Sequence, residues 1–231
     1  MSTDQRYEIK FILDEGKLAE FTSWMYCHTG AQVAYGSRNV NSLYFDDVSY
    51  ESVRDNLAGV SDRKKMRLRW YHNNNSTDIS SLALELKIRH GRLGHKKTYP
   101  LPGLQQEIMT LEAGLIYEQV VEELGVSPST QQILDDHYIP TLHTSYLREY
   151  FEDMNGLRIT LDHNINFHHV ASHSHLLQGI SSPYPMHIAE LKFSPHTKPK
   201  VIELLRSLHM TPKRHSKYLV GLSVFGQAIY I

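Results

Sequence analysis

Lysine, arginine and glutamate recur at every second position along several short segments, interleaved with apolar side chains. Arg6, Glu8 and Lys10 alternate with Tyr7, Ile9 and Phe11, and Lys65, Arg67 and Arg69 alternate with Met66, Leu68 and Trp70. Glu85, Lys87 and Arg89 oppose Leu84, Leu86 and Ile88. The pattern returns around Lys97, Arg148, Arg158 with Asp162, and Glu190 with Lys192. A strand sends successive side chains to opposite faces, so each segment predicts one apolar and one mostly cationic face. Arginine offers a planar fork to phosphate oxygens and lysine a compact point charge, so such faces suit a ligand carrying several phosphates close together. The alternative is an ordinary solvated sheet face, where lysine and arginine also guard edges. Alternation alone leaves both open.

The chain as a whole is neutral. It has 231 residues, with 24 Lys and Arg against 25 Asp and Glu, for a net charge of −1. No general affinity for nucleic acid or membrane is expected, and any basic site must arise by segregating charge within the fold. Cys27 is the only cysteine, which excludes an internal disulfide and a thiolate metal cluster and fits a reducing cytoplasm. The start, MSTDQRYEIK, lacks a signal-peptide pattern, and the longest apolar run, from Leu219 to Ile231, is too short to span a bilayer. A soluble, cytoplasmic protein is expected. Neither a Walker A sequence nor GxGxxG occurs, and GRLG at 91–94 reads as a turn.

Strand-type segments fall at roughly 6–12, 40–46, 65–71, 82–89, 95–99, 142–151, 157–162 and 186–193. Turn-forming residues at 72–76 and 91–94 suggest that neighbouring strands there pair. Helical spacing appears at 14–26, 49–58, 104–124 with a break at Gly114, 199–209 and 216–226. The prediction is an α+β fold built on an antiparallel sheet, in a single domain over residues 1–231. Segment 163–185, rich in His, Ser and Pro, reads as a long loop. Asp162, His163, His168, His169, His173 and His175 crowd its start; such imidazoles can bind Zn²⁺ or Ni²⁺, but the composition favours a polar loop. Asp46 and Asp47 are placed to cap the helix that follows.

RYEIKFIL, NSLYFDD, LAGVSDRKKMRLRWY, LALELKIR, SYLREYF with LRITLD, AELKF and HSKYLVGL follow one another along nearly the whole chain. This ordered set resembles the VTC domain, the polyphosphate polymerase domain of the triphosphate tunnel metalloenzymes. The resemblance implies a closed tunnel of eight antiparallel strands with its cationic faces inward, around ATP, tripolyphosphate or polyphosphate and a divalent ion, Mn²⁺ or Mg²⁺. By the same carry-over, Lys10, Arg67, Arg69, Lys87, Lys97, Arg148, Arg158, Lys192, Arg214 and Lys217 would hold phosphate. Glu190 would take the metal and, with Lys217, serve catalysis; Glu8 and Glu85, each two residues before a lysine, are further metal candidates. Tyr218 reads as packing. Only Glu8-Ile9-Lys10 of the wider superfamily's ExExK motif is present, with Arg6 where the other acid would stand. That argues against a second metal and against the adenylate cyclase and thiamine-triphosphatase branches. The expected activity is polymerisation of polyphosphate from the γ-phosphoryl of ATP. The rivals are hydrolysis of tripolyphosphate, a non-catalytic polyphosphate- or nucleotide-binding module, and a structural sheet with solvated basic faces.

Overall fold

The computed structural model describes residues 6–73, 78–90, 93–125 and 137–229. The strands are β1 (Tyr7–Leu13), β2 (Gln32–Asp46), β3 (Asp62–Asn73), β4 (Ile79–His90), β5 (Leu93–Pro100), β6 (Ile139–Glu152), β7 (Arg158–His169), β8 (Ser181–Pro183) and β9 (His187–Phe193). The α-helices among the described residues are α1 (Glu15–Trp24), α2 (Glu51–Ala58), α3 (Ile116–Leu124), α4 (Lys198–Leu205) and α5 (Lys217–Val224). The strands form a nine-stranded sheet in the order β1-β9-β7-β6-β2-β3-β4-β5, with β8 on β7. Among the described residues this order has two ends, β1 and β5, and the pairing that would close a tunnel is not part of it. No described helix is long and apolar enough to cross a membrane.

All eight expected strands are present, with two corrections. Residues 163–169, expected in a loop, continue β7, and the short β8 follows them. Ile165 and Phe167 are buried, so the period-2 signal ran on beneath the polar composition. The chain that begins β2 at Gln32 is mostly exposed and carries no apolar alternation to announce it. The turns expected at 72–76 and 91–94 lie partly outside the described residues, as does the extreme N-terminus. The flanking strands do pair antiparallel, β3 with β4 and β4 with β5.

The chain divides into two compact units. The first comprises Met1–Asn39, Tyr146–Ile165 and Pro183–Ser216. Its core joins Phe11 and Leu13 of β1, Ile159 and Leu161 of β7, and Ala189, Leu191 and Phe193 of β9 to Phe21, Trp24 and Met25. Asp14 caps α1 by accepting from the Lys17 N–H, which fixes where the helix starts and turns Phe21 and Trp24 onto the sheet. Val201 and Leu208 complete this core from the α4 side. One face of β1, β7 and β9 is thereby sealed, so the alternate positions present their polar groups together.

The second unit comprises Val40–Ser145, Asn166–Ser182 and Lys217–Ile231. Its core packs Met66, Leu68 and Trp70 of β3 with Leu82, Leu84 and Leu86 of β4, Ile108, and Ile116 and Val120 of α3. Asp46 accepts from the Ser52 N–H and Asp47 from the Glu51 N–H, so the expected capping of α2 is present. At Gly221 of α5 an added Cβ would lie 2.5 Å from Leu142 and 2.8 Å from Phe167. Glycine is needed there for α5 to lie close against β6 and β7.

Candidate functional site

In the first unit, the β1–β9 register sets Lys10 opposite Glu190 and Glu8 opposite Lys192. The β7–β9 register adds Thr160 opposite Glu190 and Arg158 opposite Lys192. Directly opposed residues share a face, so Glu8, Lys10, Glu190, Lys192, Thr160 and Arg158 lie on the side away from the core. The Glu190 carboxylate is buried and accepts from Lys192 at 2.7 Å, with Lys10 at 3.6 Å. Lys10 also pairs with Glu8 at 2.9 Å. Arg148 grips the fully buried Asp162 with two parallel bonds of 2.6 and 2.8 Å.

Electrostatics set the protonation of this cluster. Burial alone would raise the Glu190 pKa, but Lys10, Lys192 and Arg148 outweigh it and hold the carboxyl well below the usual carboxylate range. Burial would lower Lys10, but Glu190 and Glu8 prevail and raise it. Arg148 is likewise raised, desolvation being overcome chiefly by Asp162. Glu190, Lys10 and Arg148 therefore stay ionised at neutral pH.

Glu8 and Glu190 are hard oxygen donors that converge on one positive centre, the Lys10 ammonium, at 2.9 and 3.6 Å. Mg²⁺ and Mn²⁺ need only one or two protein carboxylates when phosphate and water complete the shell, so this donor pair fits such an ion. Among the described residues no group of three or more His, Cys, Asp or Glu side chains lies together in a way that could hold a metal.

In the second unit, Glu85 stands opposite Arg67 across β3 and β4 and is almost completely buried. Arg67 donates to Glu85 Oε2 through both Nε and a terminal nitrogen, at 2.9 and 2.7 Å. Arg69 lies 3.7 Å from the same oxygen, and Lys96 of β5 donates to Oε1 at 2.7 Å. Burial would raise Glu85, yet Arg67, Arg69 and Lys96 bring it far below the ordinary range. The β3 register shifts between Arg69 and Tyr71, and a concavity of about 350 Å³ opens beside Arg69, Glu85 and Thr98. Both Glu85 oxygens are engaged by cations of its own unit.

Lys97 sits opposite Leu86, on the side of the apolar residues, whereas Lys96 sits opposite Lys87. The expected Lys97 is thus on the wrong face, and Lys96 takes its place in the cluster. Tyr99 packs against the core with the same parity as Lys97, which was the signal that could have separated them. Lys87 is exposed. Tyr218 is buried and stacks on Tyr44 at 4.8 Å, as packing was expected to do, and its hydroxyl also donates to Asp46 at 2.8 Å.

The model of the VTC domain family matches residues 5–225. The chain belongs to the VTC domain family. Among solved structures, a putative adenylyl cyclase from Hippeastrum, described as having a dominant triphosphatase activity, shares 15% identity over 95% of this chain and 96% of its own, with a TM-score of 0.55. A putative adenylate cyclase from Vibrio parahaemolyticus shares 12% identity over 96% of this chain and 99% of its own, with a TM-score of 0.49. No match is found among curated proteins. The Hippeastrum likeness shows a shared fold.

In this VTC domain, Lys10, Arg148, Arg158, Lys192 and Arg214 belong to the first unit, and Arg67, Arg69, Lys87 and Lys217 to the second. Arg158 is half exposed and pairs with Glu152 at 3.3 Å. Arg214 is exposed on the segment where the Lys213 N–H donates to the Lys10 carbonyl, and Lys10 Nζ reaches the His215 carbonyl at 3.4 Å. Lys217 opens α5 beside the anchored Tyr218. Sequence reasoning missed a buried network: His143 Nε2 meets Asn41 at 3.1 Å, Asn41 meets His72 at 3.1 Å, and the His143 ring stacks on Trp70.

Proposed function

We propose that this VTC domain is a divalent-metal-dependent enzyme of phosphoanhydride chains, transferring the γ-phosphoryl group of ATP to the end of a polyphosphate chain. The observation that carries the reading is the buried Glu190 carboxylate, held ionised by the partly buried Lys10, Lys192 and Arg148 on the polar side of a sealed sheet. Fixed cations of this kind bind a phosphate chain and neutralise the charge that spreads over the equatorial oxygens during transfer. Lys10 and Lys192 would exchange their carboxylate contacts for phosphate oxygens. Arg148, held by Asp162, keeps its fork oriented for the same purpose. Arg67, Arg69 and Lys96, with Lys87, Arg158, Arg214 and Lys217, would take further phosphates, and Lys217 would serve catalysis with Glu190.

Glu190, with Glu8 beside it, would hold Mg²⁺ or Mn²⁺, which when bound supplies additional charge neutralisation on phosphate oxygens. The acceptor is a terminal phosphate oxygen that is already ionised. A new P–O bond forms to the γ-phosphorus, the β–γ bridge breaks, and ADP leaves without any general base. The closed tunnel implied by the family would bridge β1 and β5, and this reading carries it together with a single domain over residues 1–231. Such a domain would unfold in one cooperative transition in calorimetry.

A second reading is hydrolysis of tripolyphosphate, favoured by the fold shared with the Hippeastrum protein and its described triphosphatase activity. Incubating the protein with ATP or with tripolyphosphate and Mn²⁺, then resolving products by chain length, separates the two. Chains longer than the input support transfer, orthophosphate alone supports hydrolysis, and neither product removes the enzyme reading.

A further inference from the structure

His163 and His187 of the first unit stand apart from the phosphate-binding face just described, and their hydrogen bonds leave a defined gap. His163 Nε2 lies 2.8 Å from Glu149 and His187 Nε2 lies 3.0 Å from Glu15. The two Nδ1 atoms face each other at 3.2 Å, with ring centroids 5.1 Å apart. An ionised carboxylate only accepts hydrogen bonds, so each Nε2 must carry its proton. In neutral imidazoles both Nδ1 atoms then hold lone pairs, directed at one another. A cation between them, either a proton on one Nδ1 or a metal ion, removes that opposition.

The geometry points to a site for a divalent transition-metal ion, Zn²⁺ by chemical class, held by His163 Nδ1 and His187 Nδ1, with water completing its shell. With Zn–N bonds of about 2.0–2.1 Å, a separation of 3.2 Å subtends about 100° at the metal, close to the tetrahedral angle. The surroundings fit as well, since metal-binding imidazoles characteristically donate their other N–H to a carboxylate that fixes tautomer and orientation. Glu149 and Glu15 fill that role here. The His163 and His187 side chains are 17% and 12% exposed, so an ion can enter without the fold opening. Imidazole nitrogens select borderline metals over Mg²⁺, which separates this site from the carboxylates at Lys10. An ion here would tie β7 to β9 and, through the carboxylates, to β6 and the start of α1.

The test titrates the full chain with Zn²⁺ alone in a calorimeter, and with Co²⁺ followed by visible absorption. Wild type takes up one equivalent that H163Q and H187Q each lose, a tenfold excess of Mg²⁺ does not displace it, and Zn²⁺ raises the thermal midpoint of wild type but not of H187Q. E15Q alters a side chain that is 86% exposed, so it keeps the fold while weakening Zn²⁺ binding about 10–100-fold. Identical Zn²⁺ uptake by wild type, H187Q and E15Q would overturn the site. So would absence of uptake by wild type, with the imidazole pair showing only a proton titration by NMR.

Discussion

The clusters around Glu190 and Glu85 are built from the same ingredients and differ in their cations. Each is a buried strand carboxylate with three cations near it, and each is held ionised against its burial. Around Glu190 the direct partners are lysines, whose flexible stems can swing a point charge from carboxylate to ligand. Around Glu85 the chief partner is Arg67, whose Nε and terminal nitrogen both point at one oxygen. An arginine fork is costly to move, so in the proposed enzyme Glu85 would position Arg67, whereas Glu190 would keep charges that can be exchanged. On the proposed reading, a motif that looks alike in sequence would serve two purposes, told apart by the choice of lysine or arginine as chief partner.

Substitutions sharpen that contrast. E190Q is expected to lower kcat by about 10²–10³, the usual loss when one preorganised electrostatic group is removed. Its unfolding midpoint should fall as well, because the fold stabilises the ionised Glu190 carboxylate. E85Q should separate the two effects: a stability loss of about 3 kcal/mol in urea titration, from breaking a buried pair, with turnover within tenfold of wild type. R67K keeps the charge and loses the fork, so KM for tripolyphosphate should rise about tenfold. K96A should weaken tripolyphosphate binding a few-fold and K97A not at all, because only Lys96 faces Glu85. If K97A is the weaker binder, the β4–β5 register is wrong.

Acid and base act on the clusters with opposite sign. Glu190 and Glu85 have lowered pKa values in the folded chain, so their contribution is complete above the ordinary value of 4.5 and is lost as pH falls through the folded value. Lys10 is raised, so its contribution is complete below 10.5 and is lost as pH climbs through its folded value. The smallest effect comes from His143, lowered well below 6.5 by burial and by His168 and His72. The unfolded chain takes up a proton that the folded one refuses, so stability should begin to fall below pH 6.5. In H143Q, equilibrium unfolding between pH 6.5 and 5 should flatten.

Much of this was legible from alternation. Lys10, Arg67 and Glu190 were placed on polar faces because Phe11, Leu68 and Leu191 sealed the other side. What escaped was of two kinds. Polar composition masked local signals, as in β7, where Ile165 and Phe167 continued the strand beneath the histidines. Long-range pairing left no local signal: His163 meets His187 of another strand, and Asn41 meets His143, so neither contact follows from spacing. The direction of the basic faces rested on the ordered motifs rather than on any single segment.

The central claim is that Glu190 serves the chemistry and Glu85 the architecture. Its most direct test is kcat/KM for tripolyphosphate with Mn²⁺, measured side by side for wild type, E190Q and E85Q. A loss of at least about 100-fold in E190Q with less than about tenfold in E85Q is the predicted result. Equal losses in the two variants, or full activity in E190Q, would contradict it.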